Sequence, residues 1–248
     1  MASPAVNVLR LYKSKCIGKA PSKAVKRIEA ADAVFGEVAA HLEALCRVPL
    51  KPSTCAVAKN LFAEAYMSGA LAPRRVECAL ASVLFIACRM EGDPWFFSEI
   101  CGAMGCADSR KGWRTYKLVH KACGSPSLPH VQGDALIRRC CVGAGIDDPG
   151  VVTAALVIYK RACALEIGWS RHPGGGACAC VYMAARLRPG GARAMLDISP
   201  YSGASKDIAK KWYREMWPHR AEIVPLSLEG GAWSTTSAEV AALEPRVR

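Results

Sequence analysis

The sequence predicts an all-α protein made of two tandem copies of one five-helix unit, each copy about 100 residues long. Three observations carry this. A single offset of 97 residues brings Ala58 onto Ala155, Ala65 onto Ala162, Arg74 onto Arg171, Ala87 onto Ala184, Arg89 onto Arg186 and Tyr116 onto Tyr213 without a gap. Apolar residues recur at helical spacing in one segment after another, and no segment of length alternates apolar and polar as a half-buried strand would. Pro, Gly, Asp and Ser fall where helices of ordinary length would start and stop.

In the first copy, residues 26–45 place Val34, Val38 and Leu42 on one face. Residues 53–67 follow a Lys-Pro start and line up Val57, Leu61 and Ala65. Residues 74–90 are apolar nearly all round, which predicts a buried central helix wrapped by the others. Asp93-Pro94 reads as a cap and a first helical residue, opening a short helix to about Met104. Gly105 then stops it, and Ser109 is expected to cap a fifth helix that ends near Cys123, before Gly124-Ser125-Pro126.

The second copy repeats the scheme with helices expected over 133–144, 148–165, 173–188, 194–202 and 205–217. Its central segment, 174–185, is rich in Gly, Ala and Cys, so another helix can approach it closely. Pro200 falls inside the fourth helix and should delay or kink it, because proline lacks the amide donor. The expected organisation is a loose basic segment 1–23, a first repeat 24–125, a second repeat 126–225 and a tail 226–248 with one short helical stretch.

The chain has 248 residues, 52% of them apolar, enough for a core in each repeat. Lys plus Arg number 33 against 21 Asp plus Glu, a formal charge of +12, which favours a polyanionic partner. The 13 cysteines include no Cys-x-x-Cys pair, and most lie inside apolar runs where a reduced thiol behaves as a small hydrophobe. They imply a reducing compartment and neither a disulfide framework nor a zinc site, so no cofactor is expected. The longest apolar run, 78–88, is well short of the ~20 residues of a membrane helix. No Gly-rich phosphate loop ends in Lys-Ser or Lys-Thr, and no Cys–His spacing selects a catalytic pair, so a non-enzymatic role is expected.

Five helices around a buried third, in tandem, is the plan of paired cyclin boxes. Phe85-Ile86-Ala87-Cys88-Arg89-Met90-Glu91-Gly92 and Phe97-Ser98-Glu99-Ile100-Cys101 resemble the first-repeat signature of the transcription factor IIB family. Arg171-His172-Pro173, Val181-Tyr182-Met183-Ala184, Tyr213-Arg214 and Trp217-Pro218 fall, in order, where that family's second repeat has closely similar strings. The resemblance spans about 27–225. It implies a core of a general initiation factor that binds promoter DNA with the TATA-binding protein and reaches RNA polymerase, polymerase II foremost. It also implies a monomer in the nucleus, with no membrane contact. The family's zinc ribbon has no counterpart in the cysteine pattern, so zinc would belong to an N-terminal ribbon that this sequence lacks. A cyclin-type module regulating a kinase, or a related factor of another polymerase, shares the same plan.

The resemblance also implies site residues. Arg74, Arg75 and Arg171 precede the two central helices, where an arginine would complete a phosphate site with free backbone N–H groups. Lys206, Lys210, Lys211 and Arg214 cluster on the last helix of repeat two, a recognition-type helix for DNA. The family reads bases there with a valine and an arginine, and here those positions hold Asp207 and Lys210, so altered base readout is expected. Ser109, Arg110, Lys111 and Arg114 open the matching helix of repeat one and are expected to face an acidic loop of the TATA-binding protein.

Overall fold

The computed structural model describes residues 23–69, 71, 76–106, 109–124, 127–129, 132–167, 172–188, 194–228 and 231–245, with the side chains of 23–25 and 109–111 outside that set. The described residues are helical, with one isolated antiparallel bridge between Ser227 and Ser234. They form two compact units, Met1–His130 and Val131–Arg248.

The first unit contains α1 (Lys23–Cys46), α2 (Pro52–Met67), α3 (Val76–Glu91), α4 (Phe97–Ala103) and α5 (Ser109–Ala122). Helix α3 contacts each of the other four. It can do so because its apolar residues run all round the axis: Leu80, Val83, Leu84, Ile86 and Ala87 are all fully buried. Glu91 and Asp93, at and just beyond its C-terminus, hold the start of α2. Ser53 Oγ donates to the Glu91 carboxylate at 2.7 Å. Thr54 Oγ1 donates to Asp93 at 2.6 Å, the Lys51 amide donates to the same carboxylate at 3.2 Å, and Lys51 Nζ pairs with it at 3.6 Å.

This corrects the expected start of the fourth helix. Asp93 does not cap it, because its carboxylate is committed to α2, some forty residues back. Helix α4 begins three residues after Pro94, at Phe97, and Glu99, its third residue, reaches back to accept the Phe96 amide at 2.9 Å.

The second unit repeats the order with α6 (Gly133–Gly143), α7 (Pro149–Ala164), α8 (Pro173–Arg186), α9 (Met195–Ile198) and α10 (Lys206–Met216). Asp148 caps α7, accepting the Gly150 amide at 2.7 Å. Helix α8 again contacts all four partners. The alanines that the repeat offset pairs, Ala58 with Ala155, Ala65 with Ala162 and Ala87 with Ala184, are all fully buried. Each sits where a larger side chain would hold helices apart. Pro200 has the effect its chemistry demands: α9 lasts four residues and gives way to a 3-10 turn, Ser199–Tyr201.

The segment expected as a tail is built onto the second unit. After a 3-10 turn, Trp217–His219, come α11 (Arg220–Ile223), a segment in which Ser227 pairs with Ser234, and α12 (Ser237–Ala241). Trp233 is 1% exposed, donates its indole N–H to the Pro225 carbonyl at 2.8 Å and lies under the Arg188 guanidinium at 4.8 Å. Tyr213 and Trp217 donate to the carbonyls of Glu244 and Leu243 at 2.8 and 2.9 Å. Arg220 stacks on Trp217 at 4.1 Å and donates to the carbonyls of Trp217, Val240 and Ala241.

Candidate nucleic-acid interface

In the second unit, α9 with its 3-10 extension, the turn through Gly203 and α10 form a helix–turn–helix. Gly203 has φ +67, a backbone conformation that favours glycine. Ser205 caps α10, its Oγ accepting the Ile208 amide. The inner face of α10 is Ala209, Trp212, Tyr213 and Met216, all buried. Trp212 donates its indole N–H to the His172 carbonyl at 3.1 Å, which fixes α10 against the start of α8. Tyr213 packs edge-on against Tyr182 at 5.1 Å, and burial pushes its phenol up to about 12.

The glycine run at the start of α8 sets how close the helix–turn–helix lies. A Cβ on Gly174 would run into the Ser202 carbonyl oxygen. One on Gly175 would stand 2.6 Å from Ile208 Cγ2 and 2.8 Å from the Trp212 ring, and one on Gly176 would stand 3.1 Å from that ring. The close approach expected from the small-residue composition is therefore made specifically to α10 and to the turn before it.

The outer face of α10 is cationic. Lys211 and Arg214 are exposed, and Lys206 and Lys210 are half-buried. Among the described residues none of the four makes an ion pair, so their charge is available to a partner. Asp207 is exposed in the first turn, where a carboxylate complements the positive end of the helix dipole, as Arg214 complements the other end.

In the first unit, α4, the turn through Gly105 (φ +67) and α5 occupy the matching place. From its glycine to its second helix this turn is one residue longer than that of the second unit. Arg114 is exposed on α5. Ser109 is already helical rather than a flanking cap, and the side chains of Ser109, Arg110 and Lys111 lie outside the described set. Arg74, Arg75 and Arg171 lie outside the described residues altogether. The structure thus brings together the four cations of α10 and leaves the arginine pair without a described geometry.

Two features went unread in the sequence. Lys117 and Lys121 are exposed on α5 beside Arg114. Trp113 is 45% exposed at the edge of a cluster with Phe97, Tyr116 and Phe85, at 4.6, 5.3 and 6.1 Å. Arg89, from the quoted first-repeat signature, donates to the Pro129 carbonyl, and burial lowers its pKa.

Among the described residues no group of three or more His, Cys, Asp or Glu is placed to hold a metal. No described helix is long and apolar enough to cross a membrane.

Comparison with known proteins places these observations. No protein-family model matches the chain. Transcription initiation factor IIB of Drosophila melanogaster is 31% identical over 180 residues, 72% of this chain and 56% of that protein. Its Xenopus laevis counterpart is 30% identical over 166 residues, and the human one 28% over 169, each alignment covering 67% of this chain and 51% of the relative. The chain spans about half the length of the curated relatives it matches.

Proposed function

We propose that this chain, which is a divergent relative of the transcription initiation factor IIB family, is the core of a transcription initiation factor that docks on promoter DNA together with the TATA-binding protein. The observation that carries the reading is the outer face of α10. It is the second helix of a helix–turn–helix, pinned from behind by Trp212 and Tyr213, and its exposed Lys211 and Arg214 have no ion pair among the described residues. Such a helix enters the major groove while cations on its flanks meet the phosphates. Lys206 and Lys210 extend the same positive edge. Arg74, Arg75 and Arg171, placed by sequence before the two central helices, would add phosphate contacts at those helix starts. The start of α5, with Ser109, Arg110 and Lys111, would face an acidic surface of the TATA-binding protein. In this role the protein bridges that complex to an RNA polymerase in the nucleus without catalysing a reaction.

The test is a gel shift on a promoter duplex, with and without the TATA-binding protein, across a salt series. The expected result is a salt-sensitive supershift that depends on that partner. It should be weakened by Lys211→Glu/Arg214→Glu and by Arg74→Glu/Arg171→Glu. A chain that ignores both DNA and the partner at low salt refutes the reading and leaves a protein-only regulator of the same fold.

A further inference from the structure

The two second helices of the helix–turn–helix pairs, α5 and α10, are in the same register, residue for residue, at the 97-residue offset. Inward positions coincide: Gly112 with Ala209, Thr115 with Trp212, and Val119 with Met216 are all buried. So do two outward ones. Arg114 falls on Lys211 and Lys117 on Arg214, and all four side chains are exposed. None of the four makes an ion pair with a described residue. Burial explains the first set, because the fold needs those positions small or apolar. It does not explain the second, since an exposed position on a helix tolerates almost any polar residue. Helix α5 also carries Arg110, Lys111 and Lys121 and no acidic residue at all, a stronger positive field than that of α10.

From this register we infer that the outer face of α5 is a second DNA-binding face, with Arg114 and Lys117 on duplex phosphates and Trp113 packed against a sugar or thymine methyl beside them. The inference rests on the reading of α10 as a DNA helix, whose cation pair α5 reproduces. Trp113 fits the apolar part of the role. Its ring is braced by Phe97, Tyr116 and Phe85, so little side-chain freedom is lost on contact, and 45% of it stands free. Arg114, which the family resemblance turns toward the TATA-binding protein, belongs by this argument to the DNA.

The experiment is fluorescence anisotropy of a labelled mixed-sequence duplex with the full chain, between about 50 and 200 mM salt, with no other protein present. Thermal melts check that each variant is folded. Arg114→Gln/Lys117→Gln should lower the slope of log affinity against log salt by about 1.8, two phosphates at about 0.9 each. The variant then loses about twelvefold less affinity than the wild type across that salt range. Lys211→Gln/Arg214→Gln should do the same. Trp113→Ala should weaken binding with the slope unchanged, as expected of an uncharged contact.

If the α10 pair alters the slope and the α5 pair does not, the inference is refuted while the DNA reading stands. If neither pair matters, with or without the TATA-binding protein, the DNA reading itself fails. An α5 effect seen only after the TATA-binding protein is added assigns this face to a protein partner and overturns the inference. Trp113→Ala binding like the wild type removes the tryptophan from the face.

Discussion

Gly174→Ala offers a sharp test of how the helix–turn–helix is held. In an open helix this substitution stabilises by about 1 kcal/mol, because glycine is the costlier residue to order. At position 174 the added Cβ would overlap the Ser202 carbonyl oxygen and lie 3.1 Å from its carbonyl carbon. Those atoms are backbone, and they sit in the turn where Ser202 Oγ donates to the Ser199 carbonyl at 2.8 Å and accepts the Ala204 amide at 3.1 Å. The turn cannot rotate aside as a side chain would, so the strain should reach the upper end of the ~1–3 kcal/mol seen for overpacking. Net of the helix gain, a loss of about 2 kcal/mol is expected, and for a unit of this size a fall in Tm on the order of 10 °C. Gly36 is the control: it is exposed in α1, and nothing lies within 4 Å of its added Cβ. Gly36→Ala should therefore stabilise by about 1 kcal/mol. Thermal unfolding followed by circular dichroism reads both. A Gly174→Ala protein that melts at or above the wild type would refute the claim that glycine here serves contact rather than flexibility.

Four further outcomes are expected. Asp93→Ala should cost about 2–3 kcal/mol in urea unfolding, since it strips the cap of α2 and leaves the fully buried Thr54 hydroxyl without its acceptor; Asp93→Asn, which keeps one acceptor oxygen, should cost less. Arg220→Gln should cost about 2 kcal/mol and expose α12 to limited proteolysis, because three carbonyl contacts and the stack on Trp217 go together; an unchanged cleavage pattern would discount that clamp. The carboxylate of Glu239 is held below its usual range first by the Thr236 amide, then by the Thr235 and Thr236 hydroxyls. A depressed carboxylate stabilises at neutral pH and loses that contribution as pH falls through its lowered value, so amides of α12 should exchange faster only in acid, and a carboxyl carbon titrating at or above the ordinary ~4.3 would contradict this. Burial pushes the Cys141 and Cys178 thiols up to about 12 and Cys123 to about 11, so iodoacetamide at neutral pH should spare all three until urea unfolds the chain.

The helices were legible wherever local chemistry decides them. Pro52, Pro149 and Pro173 each stand at the first position of a helix, and Ser205 and Asp148 cap as their residue types suggest. Reading failed where a partner distant in sequence outbid the local one. Asp93-Pro94 has the local form of a helix start, but a carboxylate that can reach Thr54 and the Lys51 amide gains more by closing α2 onto the end of α3. The anchoring of 224–245 was invisible for a related reason. Of its anchors, Trp233 stands alone outside any periodic run, and Val240 with Leu243 is a single i, i+3 pair, too short a pattern to announce a buried face. On the site, the cations of α10 were legible as a cluster. Lys117 and Trp113 were not, since a sequence does not say which side of a five-helix unit faces water.

Folding and recognition act on different positions of the two helix–turn–helix pairs. The internal repeat preserves three things at once: small residues where α3 and α8 meet their neighbours, the register of the buried faces of α5 and α10, and one pair of exposed cations. The supports beneath differ. The second unit brings α10 close through Gly174, Gly175 and Gly176 against Trp212, whereas the first packs the Phe97 ring 3.2 Å from the position a Cβ on Gly112 would take. Two different packing solutions thus deliver helices with the same outward pair of charges. Packing alone would let that exposed pair drift as freely as Trp113 and Lys210, which share a register position and nothing in chemistry. The proposed DNA ligand would account for the pair, and the two faces differ at 113 and 210, where one unit presents an aromatic ring and the other a charge.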